Sequence, residues 1–156
     1  MDTHLDEIDL QILELMQKNG RISNADLARE LNMAPSAVLE RVKKLEQKQV
    51  IMGYTAQINP VALQQKLLAF IFIKSTEGFG NNDKILTALS KIPEVQEVHI
   101  IAGEDCFLAK IRTTDSATLM EIMRNSLKKI PSIASTKTTI VLETVKEQQQ
   151  LVIPKN

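Results

Sequence analysis

The 156-residue chain has no tryptophan, one tyrosine and a single cysteine, and its charges cancel, with 19 lysines and arginines against 19 aspartates and glutamates. A lone cysteine excludes an intramolecular disulfide and suits a reducing cytoplasm, where we expect the protein to reside. No apolar run is long enough to span a bilayer, and the acidic opening (Asp2, Asp6, Glu7, Asp9) is the opposite of a signal peptide's. Membrane and secreted classes therefore fall away. Zero net charge argues at first against a nucleic-acid partner.

The distribution of charge says more than its sum. Residues 1–14 carry Asp2, Asp6, Glu7, Asp9 and Glu14 with no lysine or arginine, whereas residues 41–48 carry Arg41, Lys43, Lys44 and Lys48 against Glu46 alone. The basic stretch falls in a helical region. From Asp6, apolar Ile8, Ile12, Leu15 and Met16 recur at helical spacing and Gly20 marks a stop. Ser23 reads as the N-cap of a short helix over 24–31, with Asp26 three residues on as a capping box. Pro35 suits the first turn of a third helix to Gln47, lined on one face by Val38, Val42 and Leu45. Its other side shows Ser36, Ala37, Glu40, Arg41, Lys43, Lys44 and Gln47. "VIMGYTAQI", broken by Gly53, predicts a short β-hairpin or wing, and "NPVALQQK" is the best linker.

Beyond Leu67 the pattern changes. "LLAFIFIK" predicts a strand, "TEGFGNND" a glycine-rich loop, and Ile85, Leu86 and Leu89 a helix that stops before Pro93. "VQEVHIIA" and "CFLAKIR" predict strands joined by a tight hairpin at Gly103-Glu104-Asp105. Asp115 caps a helix through Leu119, Ile122, Met123 and Leu127, and "STKTTIVLET" predicts the last strand. The order β-α-β-β-α-β is the split βαβ of ferredoxin-like plaits. Two short echoes, "SKIPEV" and "KKIPSI", each close a helix and open a strand, as two related halves would. The fold class is thus α+β, with expected domains at 1–60 and 67–148, a linker at 61–66 and a C-terminal tail at 149–156. Two helices cover one sheet face only, yet "LLAFIFI" is apolar on both alternations, so a homodimer through this domain is expected.

Residues 24–43 have the shape of a helix-turn-helix, whose second helix lies in the major groove. Small Ser36 and Ala37 permit close approach to base edges; Arg41, Lys43 and Lys44 suit bases or phosphates. The plain alternative is a three-helix scaffold with a solvated basic face. A symmetric dimer favours the DNA reading, because paired heads fit palindromic half-sites.

"LDEIDLQILELMQKNGRISNADLARELNMAPSAVLERVKKLEQKQVIMGYTAQINP" resembles the N-terminal domain of the Lrp/AsnC (leucine-responsive, or feast/famine) transcription regulators. The resemblance continues through "IPEVQEVHIIAG" and "TKTTIVLETVK", and so covers nearly the whole chain. It implies a sequence-specific regulator of double-stranded DNA that dimerises through its plait, often forms octamers, and senses a small amino acid. It implies no cofactor, metal or catalytic residue. The DNA-binding set it implies is Ser36, Ala37, Glu40, Arg41, Lys43 and Lys44. Three departures stand out: Ala34 where a capping serine is usual, Glu40 where a basic residue is frequent, and Gln49 at a usual glycine. The same resemblance reaches an enzymatic offshoot, the siroheme decarboxylases, which is the alternative reading.

"HIIAGEDCFLAKI" holds His99, Asp105 and Cys106, which invites a cysteine-nucleophile reading. Strand alternation and the apolar flank Phe107-Leu108 favour an inert, half-buried thiol. As a sensor the hairpin is better suited, since glycine permits close backbone approach and a carboxylate can pair with an ammonium. Carried over by position from the resemblance, the effector set is Ile101, Gly103, Glu104, Asp105, Thr136 and Thr138. Cys106 replaces the aspartate that many relatives carry.

Overall fold

The computed structural model describes residues 4–78, 80 and 82–154. Phe79 and Asn81 of the glycine-rich loop, and Asp2 of the acidic opening, lie outside the described residues. The chain forms two compact units: residues up to Gln57 together with those from Glu147 onward, and Ile58–Lys146. Among the described residues no helix is long and apolar enough to cross a membrane.

The first unit is three helices, α1 (Glu7–Lys18), α2 (Asn24–Glu30) and α3 (Pro35–Gln47). Each starts where the local chemistry demands. A reciprocal box opens α1: Asp9 N–H donates to Asp6 Oδ1 at 2.9 Å, and Asp6 N–H to Asp9 Oδ2 at 3.3 Å. Ser23 caps α2 through Asp26 N–H at 3.0 Å; the Asp26 carboxylate takes the Ser23 hydroxyl at 2.6 Å and so makes no reciprocal backbone bond. Ala34 gives α3 no side-chain cap, and Pro35 occupies its first turn, where a missing N–H costs nothing. Ile12, Leu27, Ala28, Val38, Val42 and Leu45 form the buried core. From Glu147 the chain belongs to this unit, with the Gln17 amide paired to the Leu151 backbone at 3.0 and 2.7 Å.

The expected β character of 50–58 is not realised: among the described residues no strand forms between Lys48 and Lys66. Alternation makes a strand only where a second edge offers backbone partners, and Met52, Tyr54 and Ile58 remain exposed. The stretch read as a linker carries a hydrogen-bonded turn, with Gln65 N–H on Pro60 O at 2.8 Å and Val61 N–H on Asn59 Oδ1 at 3.0 Å.

The second unit is the plait. Strands β1 (Leu67–Ser75), β2 (Val95–Ile100), β3 (Phe107–Thr113) and β4 (Ile133–Ile140) form one antiparallel sheet in the order β2-β3-β1-β4. Helices α4 (Asp83–Ser90) and α5 (Ser116–Asn125) pack on one face, over Ala69, Ile71, Ile73, Phe107, Ala109 and Ile111. The last strand begins two residues earlier and ends four earlier than "STKTTIVLET" implies. The two echoes do the same job: Val95 N–H donates to Ile92 O at 3.0 Å and Ile133 N–H to Ile130 O at 3.2 Å. Each is a turn with proline at its second position, where a fixed φ is favourable. On the helix-free face the register sets Phe72 beside Leu108 and Lys137, and Phe70 beside Lys110 and Thr139. The Lys137 ammonium lies 4.8 Å from the Phe72 ring centroid.

Candidate functional site

Helix α3 presents a polar face because its buried stripe, Val38, Val42 and Leu45, occupies the opposite side. Residues turn by about 100° each, so Ser36, Glu40, Lys43 and Lys44 all lie roughly 125° or more from that stripe's centre. All four are exposed, and Ala37 is half-buried at the edge. Glu40 and Lys44 pair at 2.8 Å, one helical turn apart. That bond to Lys44 holds the Glu40 carboxyl below its ordinary range. Lys43 is exposed and enters no ion pair among the described residues.

Arg41 is placed differently from the outward residues it was grouped with. It lies only roughly 70° from the buried stripe, and its side chain is 29% exposed. Its Nη1 donates to Asp6 Oδ2 at 2.7 Å and to Asp9 Oδ1 at 2.8 Å. These bonds, Asp6 first, raise the guanidinium above its ordinary value. Asp6 is held below 3.8, first by the Asp9 backbone N–H and then by Arg41. A cleft of about 390 Å³ runs between the start of α1 and α3, with these three residues in its wall. Reading the residues singly missed Asp6 and Asp9 as partners. The segregation of acid into the first stretch and base into the third helix was the available signal.

In the plait, Ile101 N–H donates to Cys106 O at 2.9 Å and closes the hairpin. Gly103, at its tip, has φ of +155° and open space where a Cβ would stand, so backbone conformation rather than crowding calls for glycine. Gly103 and Glu104 are exposed; Asp105 is 20% exposed and faces Lys137 Nζ at 3.5 Å, a partner not foreseen. The effector set is not gathered whole. Residues 136 and 138 alternate with Lys137, so their side chains leave the opposite sheet face. Thr138 donates to Met123 Sδ at 3.4 Å, and Thr136 lines a separate cleft of about 270 Å³ with Met123, Arg124 and Lys128. Ile101 is half-buried beside the loop.

A cysteine nucleophile finds no support. Cys106 is 6% exposed within the plait core, and His99 bonds to Glu97 at 3.2 Å. A buried sulfur without a base in hydrogen-bond reach lacks both the access and the activation that attack requires. Among the described residues no His, Cys, Asp or Glu cluster could hold a metal ion.

Comparison with known proteins identifies both units. A model described as winged helix-turn-helix DNA-binding matches residues 5–52, and one for the Lrp/AsnC ligand binding domain matches residues 68–151. The leucine-responsive regulatory protein of Escherichia coli strain K12 is 38% identical over 150 residues, covering 96% of this chain and 92% of that one. Among solved structures, a Neisseria meningitidis transcriptional regulator in complex with L-Met superposes with a TM-score of 0.90 at 26% identity, covering 96% of this chain and 97% of that one. AsnC of Escherichia coli does so with a TM-score of 0.85 at 27% identity, covering 97% and 99%. These relatives are regulators, not enzymes, and the siroheme-decarboxylase alternative finds no support among them. The chain belongs to the Lrp/AsnC family of DNA-binding transcription regulators.

Proposed function

We propose that the protein reads a palindromic operator with α3 and adjusts its grip on DNA when a small amino acid binds the hairpin loop of the plait. The observation that carries this is the outward face of α3. Ser36 and Ala37 at its first turn suit base edges, Glu40, Lys43 and Lys44 lie along the face, and Arg41 stands on its flank. Lysine supplies phosphate neutralisation, whereas small residues admit the helix to the groove. Cytoplasmic residence fits this role.

The effector reading rests on the exposed Gly103-Glu104 tip with Asp105 beneath it, since a carboxylate and open backbone suit a free amino acid's ammonium and carboxylate. A solved relative carries L-Met in its complex. Thr136 and Thr138 stand on the other sheet face, so within one chain they complete no pocket with the loop. A homodimer formed over the helix-free face, where Phe70, Phe72 and Leu108 are half-buried without a helix above them, would supply the second wall. An octamer is the larger assembly open to it. Ligand binding that favours one assembly over another then shifts the population competent for the operator.

The test is a duplex recovered by this protein from a random pool, titrated by fluorescence anisotropy with each of the twenty amino acids. One or a few should change the affinity, and Asp105→Ala should remove that change. Failure to enrich any duplex would overturn the operator reading; an undiminished response in Asp105→Ala would place the effector elsewhere.

A further inference from the structure

We infer that Arg41 is a positioning residue for DNA recognition, a clamp that sets α3 against α1, and not a contact to base or phosphate; this rests on the proposed reading role of α3. Placement carries this assignment. Each carboxylate of the α1 capping box spends one oxygen on backbone, Asp6 Oδ1 on Asp9 N–H and Asp9 Oδ2 on Asp6 N–H. The remaining oxygen of each, Asp6 Oδ2 and Asp9 Oδ1, receives Arg41 Nη1 at 2.7 and 2.8 Å. Of the five guanidinium hydrogens, the two on Nη1 are both directed at these oxygens, which fixes that edge of the side chain on α1. The capping box is thereby a rigid receptor, because its carboxylates are already oriented by the first turn of α1.

Charge points the same way. Asp6, Asp9 and Arg41 together carry one net negative charge, and Glu40 stands on the same cleft. A phosphate approaching that guanidinium would meet two carboxylates within hydrogen-bond reach of it, a like-charge cost that the exposed Lys43 does not impose. Asp9 is 16% exposed and Arg41 29%, so the pair is screened less than a surface bridge. One cation thus ties the entrance of α1 to the middle of α3 and leaves the outward residues of α3 to meet DNA at a set angle.

The experiment uses the full chain and the duplex it selects, with a scrambled duplex alongside, at a temperature where circular dichroism shows each variant folded. Arg41→Ala and the double variant Asp6→Asn/Asp9→Asn are compared; asparagine still caps a helix, so the double variant keeps α1 intact. The ratio of selected to scrambled affinity is expected to fall about tenfold in both, and combining all three changes should lower it no further, as one shared interaction requires. The salt slope of Arg41→Ala should equal that of the wild type, whereas Lys43→Ala should lose about one ion from it. A slope lowered by about one in Arg41→Ala would make Arg41 a phosphate contact. Discrimination lost in Arg41→Ala but kept in the Asn pair would make it a base reader. Either overturns the clamp. An unchanged slope in Lys43→Ala would instead count against α3 as the DNA-facing helix.

Discussion

Tyr54 shows how much one contact can be asked to reveal. Its phenol donates to Glu46 Oε1 at 2.8 Å, and burial, followed by that bond and the carboxylate's charge, pushes its ionisation from 10.0 up to about 12. All three causes penalise the phenolate, so the shift is upward. The chain has no other tyrosine and no tryptophan, so the tyrosinate absorbance change belongs to this residue alone. A spectrophotometric titration of the folded protein should find a midpoint near 12, and Glu46→Gln should bring it part of the way back towards 10. A midpoint at 10 in the wild type would mean that the Tyr54–Glu46 bond does not persist in solution. Asp105 and Arg41 make the complementary point. Their types and positions were legible in the sequence, but their partners, Lys137 across two strands and the Asp6–Asp9 box some thirty residues earlier, were not. Such pairings depend on which segments pack together, and nothing within a local window reports that.

At the scale of elements, α3 carries a defect at each end. Ala34 leaves the first-turn N–H groups without a side-chain acceptor, unlike Asp115, which caps α5 by accepting from Thr118 N–H at 2.8 Å and Thr118 Oγ1 at 2.9 Å. Gln49, just past the helix, holds φ of +56°, a left-handed conformation that glycine adopts more readily. Ala34→Ser should therefore stabilise the helical unit by about 1 kcal/mol, read as a raised denaturant midpoint with unchanged slope. No gain would mean that the new hydroxyl fails to reach the first-turn N–H groups. Helices and plait strands were legible because each buries a periodic stripe against a neighbour. The segment over 50–58 was not, because its alternation describes a strand's sides while a strand's existence depends on an edge to pair with.

For the whole molecule, two cores with no shared residue predict two separable losses of stability. Ile71 is fully buried in the centre of β1, flanked by Ala109 and Thr138 on the neighbouring strands. Ile71→Ala should cost the plait about 3 kcal/mol through lost burial and a residual cavity. Differential scanning calorimetry should show that transition lowered while a transition of the helical unit stays in place; a single transition shifted as a whole would show the units to be coupled. What the sequence by itself determined was everything carried by period and local chemistry. That covers the three helices, the order of the plait, its proline turns, the basic helix and the glycine at the hairpin tip. Tertiary structure decided what those parts face: it turned Arg41 inward to two carboxylates, sent Thr136 and Thr138 to the sheet face opposite Lys137, and buried Cys106. The reason is physical. A repeat along the chain states which side of an element is apolar, while the identity of a polar group's partner is set by distances between segments far apart in sequence.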